Sequence, residues 1–290
     1  MTAVKVFLFL SFLGLASCIH VEDIDQPPQE VANLYANHIG NIIVDTELYI
    51  IDGEILNKEA YEQLHSLPRS LPHDNNEKET VEIAFQSLTL KKGGVIYTMG
   101  ERVLLKVHHL MAEGGSIATF PKDHTAAPQE NGRSGGFVYL HLDKAEGELL
   151  ISLRGENGGV GSSGREPDQS MRGKDGIAIF ARCGEDSYIT EGQKGQQGHP
   201  GGQGMSGGDS GNFELQILDQ NKFKYRLEKV PGQGGVGGDG GRGGEGGKTP
   251  NLCGMGRTPV EGDRGKRGPK GKDGRVGSFC LTSNGTTSCF

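Results

Sequence analysis

The chain has 290 residues, of which 49 are glycine, 12 proline and none tryptophan, with a formal net charge of −7. An acidic chain without interleaved basic and aromatic residues repels polyanions as a whole, which argues against nucleic-acid recognition. At 34 % hydrophobic residues, the core must be thin.

Residues 1–17 read as an export signal: Lys5 precedes an apolar run, Val6 to Leu15, that is too short to span a bilayer. The run ends in Leu15-Ala16-Ser17-Cys18, which resembles the lipobox of bacterial lipoproteins. That resemblance implies a lipid on Cys18, attachment to the membrane through the N-terminus and a place in the bacterial cell envelope. In such proteins an aspartate after the cysteine favours the inner membrane; Ile19 stands there instead and points to the outer membrane or cell surface. The alternative is an ordinary secretory signal with Cys18 free or lost. Residues 18–40, with Asp23, Asp25, Pro27 and Pro28, read as a polar tether, and residues 19–80 carry 13 acidic against 3 basic side chains.

Residues 41–79 form a small N-terminal segment. Ile42–Val44 and Leu48–Ile51 read as short strands and Lys58–Leu67 as a helix, with a boundary over Pro68–Glu79. A β domain follows over 80–153. Val81, Ile83 and Phe85 alternate with polar residues, and Gly93-Gly94 turns into Val95–Thr98. Arg102–Val107 and Ser116–Phe120 flank a turn at Gly114-Gly115, and Phe137–Leu142 and Leu149–Leu153 are joined across Lys144–Gly147. His108-His109 lies on a predicted strand, so the two rings point to opposite faces and are not expected to share a metal.

Residues 154–279 carry glycine every third position in four runs. The first holds Gly155, Gly158, Gly161 and Gly164 and resumes in phase at Gly173 and Gly176; the second runs from Gly192 to Gly207. The third, Gly232 to Gly247, has glycine at two of every three positions, and the fourth runs from Gly262 to Gly277. A flexible linker leaves this phase unexplained, whereas a threefold extended helix requires it. The runs are short, poor in proline and separated by strand-like stretches at Ile177–Phe180, Phe213–Leu218 and Phe223–Leu227. These features favour packing of the runs within one chain, as a monomer, over a collagen trimer. The doubled glycine of the third run suits a helix with neighbours on two sides. The fold class expected is mainly β: a β-sandwich or short β-solenoid followed by a bundle of polyglycine-II-type helices alternating with strands. The glycine phase resembles bacterial collagen-like surface proteins and the polyglycine-II bundles of certain phage adhesins, which implies surface display or adhesion.

The fourth run is basic, with Arg264, Lys266, Arg267, Lys270, Lys272 and Arg275 against three acidic side chains in 261–277. It reads either as a solvated outer face or as a stripe for an anionic surface, namely the acidic N-terminal part or a surface polysaccharide. No nucleophile–base pair, metal set or cofactor motif stands out; Gly246-Gly247-Lys248-Thr249 lacks the leading glycine and feeding strand of a phosphate loop. The expected function is a non-catalytic, envelope-anchored structural or adhesive lipoprotein whose partner is a surface polysaccharide or another surface protein. The alternatives are a trimeric stalk and a polysaccharide-active enzyme on a β-solenoid.

Setting Cys18 aside leaves four cysteines in an oxidising compartment. In residues 280–290, Asn284-Gly285 predicts a tight hairpin that places Cys280 opposite Cys289 in a non-hydrogen-bonded pair, within disulfide range. Cys183 and Cys253 then pair by elimination, the alternative being that one or more of the thiols stay free.

Overall fold

The computed structural model describes residues 38–65, 80–179, 188–251, 257, 259–283 and 286–290. The export signal, Cys18, the tether as far as residue 37, the boundary at 68–79, Cys183, Cys253 and the Asn284-Gly285 turn lie outside the described residues. The strands are β1 (His38–Val44), β2 (Glu47–Ile51), β3 (Glu54–Asn57), β4 (Val81–Lys91), β5 (Val95–Tyr97), β6 (Arg102–Ala118), β7 (Phe137–Arg154), β8 (Ala178–Ile179), β9 (Tyr188–Ile189), β10 (Asn212–Val230), β11 (Phe279–Ser283) and β12 (Thr286–Cys289). One helix, α1 (Lys58–His65), follows β3. All strands but the β8–β9 hairpin join one mainly parallel sheet, in which only β2–β3 and β11–β12 pair antiparallel.

The glycine turns at 114–115 and 144–147 do not join separate strands. Each sits inside one continuous strand, β6 or β7, and the two runs expected at 213–227 likewise fuse into β10. A straight strand as long as β7 would span roughly 60 Å. Its ends nevertheless meet: a Cβ on Gly135, just before β7, would lie 2.6 Å from the carbonyl oxygen of Arg154, its last residue. The long strands are therefore folded back on themselves like arches. Two features bend the long strands. The first is a pair of consecutive residues outside the core, Gln86-Ser87, His108-His109, Asp143-Lys144 and Leu218-Asp219, where the apolar alternation slips by one. The second is a left-handed glycine further along: Gly114 (φ +84°) in β6, which falls at a register shift, and Gly147 (φ +90°) in β7, which stands opposite Ala112. The slip corrects one expectation: His108 and His109 do not face opposite sides of the strand, because the core face passes from Val107 directly to Leu110.

The arches stack in parallel. β1 and β2 lie on β4 and β5, those on β6, then come β7 and β10, and β11 pairs only with Phe213–Gln216 of β10. The core fills the space between the two arms of every arch, where Val103, Leu105, Leu140, Ile151, Phe213 and Leu215 are fully buried. At the β1–β2 end, the Asn57 side chain caps α1 by accepting from the Ala60 N–H (2.9 Å), and Tyr61 stacks on Tyr49 with ring centres 4.0 Å apart.

Because each arch ends beside its own start, the chain can leave the end of one strand, travel away and return to begin the next. The glycine runs do this in pairs. Run 1 (155–176) leaves β7 and run 2 (192–211) returns to β10; run 3 (231–248) leaves β10 and run 4 (260–277) returns to β11. The runs lie side by side, joined by backbone hydrogen bonds that repeat every three residues. Run 1 donates to run 3 in parallel: Gly155 to Val230, Gly158 to Gln233, Gly161 to Val236 and Gly164 to Asp239. Run 2 donates to run 4 in parallel, from Gly195 to Val260 through Gly207 to Lys272. Run 3 donates antiparallel to run 2, from Gly232 to Gly208 through Gly247 to Gln193, and run 4 antiparallel to run 3, from Gly262 to Gly244 through Gly274 to Gly232. Run 3 thus has three neighbours, one more than its doubled glycine suggests, and both of its glycine phases face inward.

A fifth segment joins this assembly between β6 and β7. Gly132 donates to Ser206 and Gly135 to Asp209 of run 2, while Glu156 and Gly159 of run 1 donate to Arg133 and Glu130. The break in run 1 is one extra triplet. Gly164 bonds to Asp239 and Gly173 to Glu245, so nine residues of run 1 stand against six of run 3. The surplus is taken up near a 3-10 turn, Gln169–Met171, where Asp168 accepts from the Ser170 N–H and Met171 is buried.

Candidate functional site

With glycine turned inward, the other two residues of each triplet in run 4 face out: positions 263, 264, 266, 267, 269, 270, 272, 273, 275 and 276 are all exposed. They form two ridges, one residue of each triplet in each. The ridge of Asp263, Lys266, Pro269, Lys272 and Arg275 borders run 2, since the Lys194 Nζ lies 2.7 Å from the Asp263 carboxylate. The ridge of Arg264, Arg267, Lys270 and Asp273 borders run 3, since Arg267 bonds to Asp239 (2.6 Å) and the Arg264 Nε donates to the Gly240 carbonyl (2.9 Å).

The six basic residues of the stripe therefore divide. Arg267 is neutralised by Asp239 and Lys270 by Asp273 (2.8 Å). The side chains of Lys266, Lys272 and Arg275 have no ion-pair or hydrogen-bond partner among the described residues. Asp209, beside Arg275, accepts from the Arg275 backbone N–H. Arg267 and its hydrogen bond hold the Asp239 carboxyl below its usual range, and Lys270 with the Gly234 N–H does the same for Asp273. The cationic ridge is thus Lys266, Lys272 and Arg275, with Pro269 between.

A buried charge cluster, unannounced in the sequence, fastens the runs to the sheet. Glu156, in the first triplet of run 1, has a side chain only 5 % exposed. Its carboxylate accepts from the Arg133 backbone N–H (2.9 Å), Nε (2.9 Å) and Nη2 (3.2 Å), and His124 Nε2 lies 3.2 Å away. The Phe120 ring covers the cluster, with the Arg133 guanidinium 5.0 Å and the His124 ring 5.5 Å from its centre. Burial alone would push the Glu156 carboxyl up; the hydrogen bonds from His124 and Arg133 and the Arg133 charge outweigh it and hold the group down at about 2.

The two histidines at the arch corner go to different carboxylates, His108 to Asp143 (2.8 Å) and His109 to Glu146 (3.2 Å). Among the described residues no cluster of three or more metal-ligating side chains occurs. At the first layer of the stack a cleft of about 320 Å³ opens between the arms, lined by Ile42, Val44, Leu48 and Ile55 and rimmed by a Lys58–Glu47 ion pair (3.2 Å).

At the other end, β11 and β12 pair in the register read from Asn284-Gly285, with Cys280 opposite Cys289. Phe279 and Phe290 exchange both backbone hydrogen bonds, which makes the next pair the non-hydrogen-bonded one. There Cys280 and Cys289 form a disulfide, with Cα atoms 4.0 Å apart. No helix among the described residues is long and apolar enough to cross a membrane. Comparison with family models, curated proteins and solved structures returns no match.

Proposed function

We propose that this chain is a non-catalytic surface lipoprotein, anchored in a bacterial envelope through Cys18, that displays a polyglycine-II bundle to an anionic surface polysaccharide. The observation that carries the reading is the three-residue repeat of hydrogen bonds between glycine runs of the same chain, which turns two side chains of every triplet in run 4 outward. Glycine spent on contacts within the chain supports a monomer rather than a collagen-type trimer. Lys266, Lys272 and Arg275 supply a cationic ridge on an otherwise acidic chain, so the attraction is local and should fall steeply with salt.

The test is retention of the purified protein on an immobilised carboxylated or sulfated polysaccharide across a salt gradient. Retention at low salt that is lost in the Lys266→Gln/Lys272→Gln/Arg275→Gln protein is the expected result. Equal retention of the two proteins sinks the ridge, and turnover of the polysaccharide sinks the non-catalytic reading.

A further inference from the structure

The stack of arches is unfinished at its β10 end. One edge of β10 pairs with β7 from Asn212 to Val230. On the other edge β11 pairs only with Phe213–Gln216, and from Lys222 onward no strand among the described residues occupies it. The effect on burial is visible within this one strand. Phe213 and Leu215, in register with β11, and Ile217 just beyond it are 0 %, 0 % and 4 % exposed. Phe223, Tyr225 and Leu227 also pack against the core but are only partly buried. Their in-register neighbours one layer inward include Leu149 and Ile151, at 2 % and 0 %. The second arm of the last arch has no strand on its outer edge among the described residues, and β11 reaches it through Phe279, whose ring centre lies 6.1 Å from that of Tyr225.

The opposite face of this arm carries Lys222, Lys224 and Arg226, all exposed. Lys222 and Lys224 stand in register with Glu146 and Glu148 of β7, and Arg226 is paired with Glu228 (2.8 Å), which Arg154 also approaches (3.6 Å). On the open side of β10 no carboxylate among the described residues faces the two lysines. An open edge carrying lysines resists pairing with its own copy, since antiparallel pairing about Tyr225 would set Lys224 against Arg226. The strand that fits has apolar residues on the side of Phe223, Tyr225 and Leu227 and carboxylates on the side of Lys222 and Lys224.

We propose that the free edge of β10 over Lys222–Val230 binds an extended acidic segment of a partner protein, which adds to the sheet as a strand and completes the last arch. Main-chain hydrogen bonds supply the pairing, and the alternation of apolar and acidic side chains supplies the selectivity. This surface differs from the cationic ridge of run 4 and does not depend on it.

The probe is a short fluorescent peptide of alternating glutamate and valine, titrated against the intact protein by polarisation. Saturable binding is expected. It should weaken by about tenfold or more when alternate amides of the peptide are N-methylated, because the strand contacts are lost. A similar loss is expected for the Lys222→Gln/Lys224→Gln protein, whose exposed, neutral substitutions set no like charge against Glu146 or Glu148 and should leave its unfolding transition in place. Hydrogen exchange should show new protection over 222–230 with the peptide bound. Absent binding, or equal binding of the N-methylated peptide to the unaltered protein, overturns the proposal. So does concentration-dependent dimerisation that the peptide reverses, which would make a second copy the occupant.

Discussion

Gly238 of run 3 passes so close to Ser162 of run 1 that a Cβ on the glycine would fall inside the Ser162 carbonyl group. Four positions later in run 3, Arg242 is exposed. Gly238→Val should therefore force two backbones apart and break hydrogen bonds on both sides, destabilising by about 3 kcal/mol or more. Arg242→Val should change stability by no more than about 0.5 kcal/mol. Urea unfolding of both variants checks this, and coincident curves would mean that the runs do not pack.

Glu156 predicts an acid limb. Its folded-state value of about 2 lies below the ordinary 4.5, so the stabilisation is complete above about 4.5 and disappears as pH falls towards 2. Near neutral pH the buried carboxylate contributes roughly 3 kcal/mol. Glu156→Gln should lose that contribution at pH 7 and flatten stability between those two pH values. A variant with an unchanged acid limb would show that the cluster does not hold the runs to the sheet.

The hairpin predicts a local effect. Opening the Cys280–Cys289 bridge by Cys280→Ser should cost about 2.5 kcal/mol through the closed loop. Because β11 covers Phe213 and Leu215, amide exchange over Phe213–Gln216 should quicken first. Uniform quickening across the sheet would contradict a role confined to that edge.

Two expectations concern residues outside those described. Cys18→Ser should move the protein from the membrane fraction to the soluble one; unchanged fractionation would refute the lipid anchor. Non-reducing peptide mapping should return Cys183 joined to Cys253, and a cross-link from either to Cys280 or Cys289 would refute that pairing.

What was legible in the sequence follows from strictly local signals. A glycine at every third position reports its own crowding, and Asn284-Gly285 sets the register that places Cys280 opposite Cys289. The arches were not legible, because Gly114-Gly115 and Ala145-Glu146-Gly147 have the composition of hairpin turns. Whether such a glycine reverses the chain beside itself or bends it across a core depends on parallel pairing partners dozens of residues away, as between Lys106 and His141. The segment around Gly132 and Gly135 was missed because a single triplet has no visible period. Glu156 resembles any outward triplet residue until Arg133 and His124, brought in by that missed segment, close over it. Basic composition located run 4, but only the placement of Asp239 and Asp273 separates its neutralised cations from Lys266, Lys272 and Arg275.

The extra triplet in run 1 shows that the bundle has a reading frame. Between Gly164 and Gly173 the run gains three residues over run 3, and also over run 2, where Ser162 and Met171 accept from Gly202 and Gln196. Every glycine beyond the surplus still meets its neighbour, because a whole codon-like unit was added. One or two residues inserted at the same point would turn each downstream glycine outward and drive a side chain into a backbone. Length variation in these runs is thus admissible in threes: of one-, two- and three-residue insertions after Gly164, the first two should collapse the pairing beyond that point and the third should restore it.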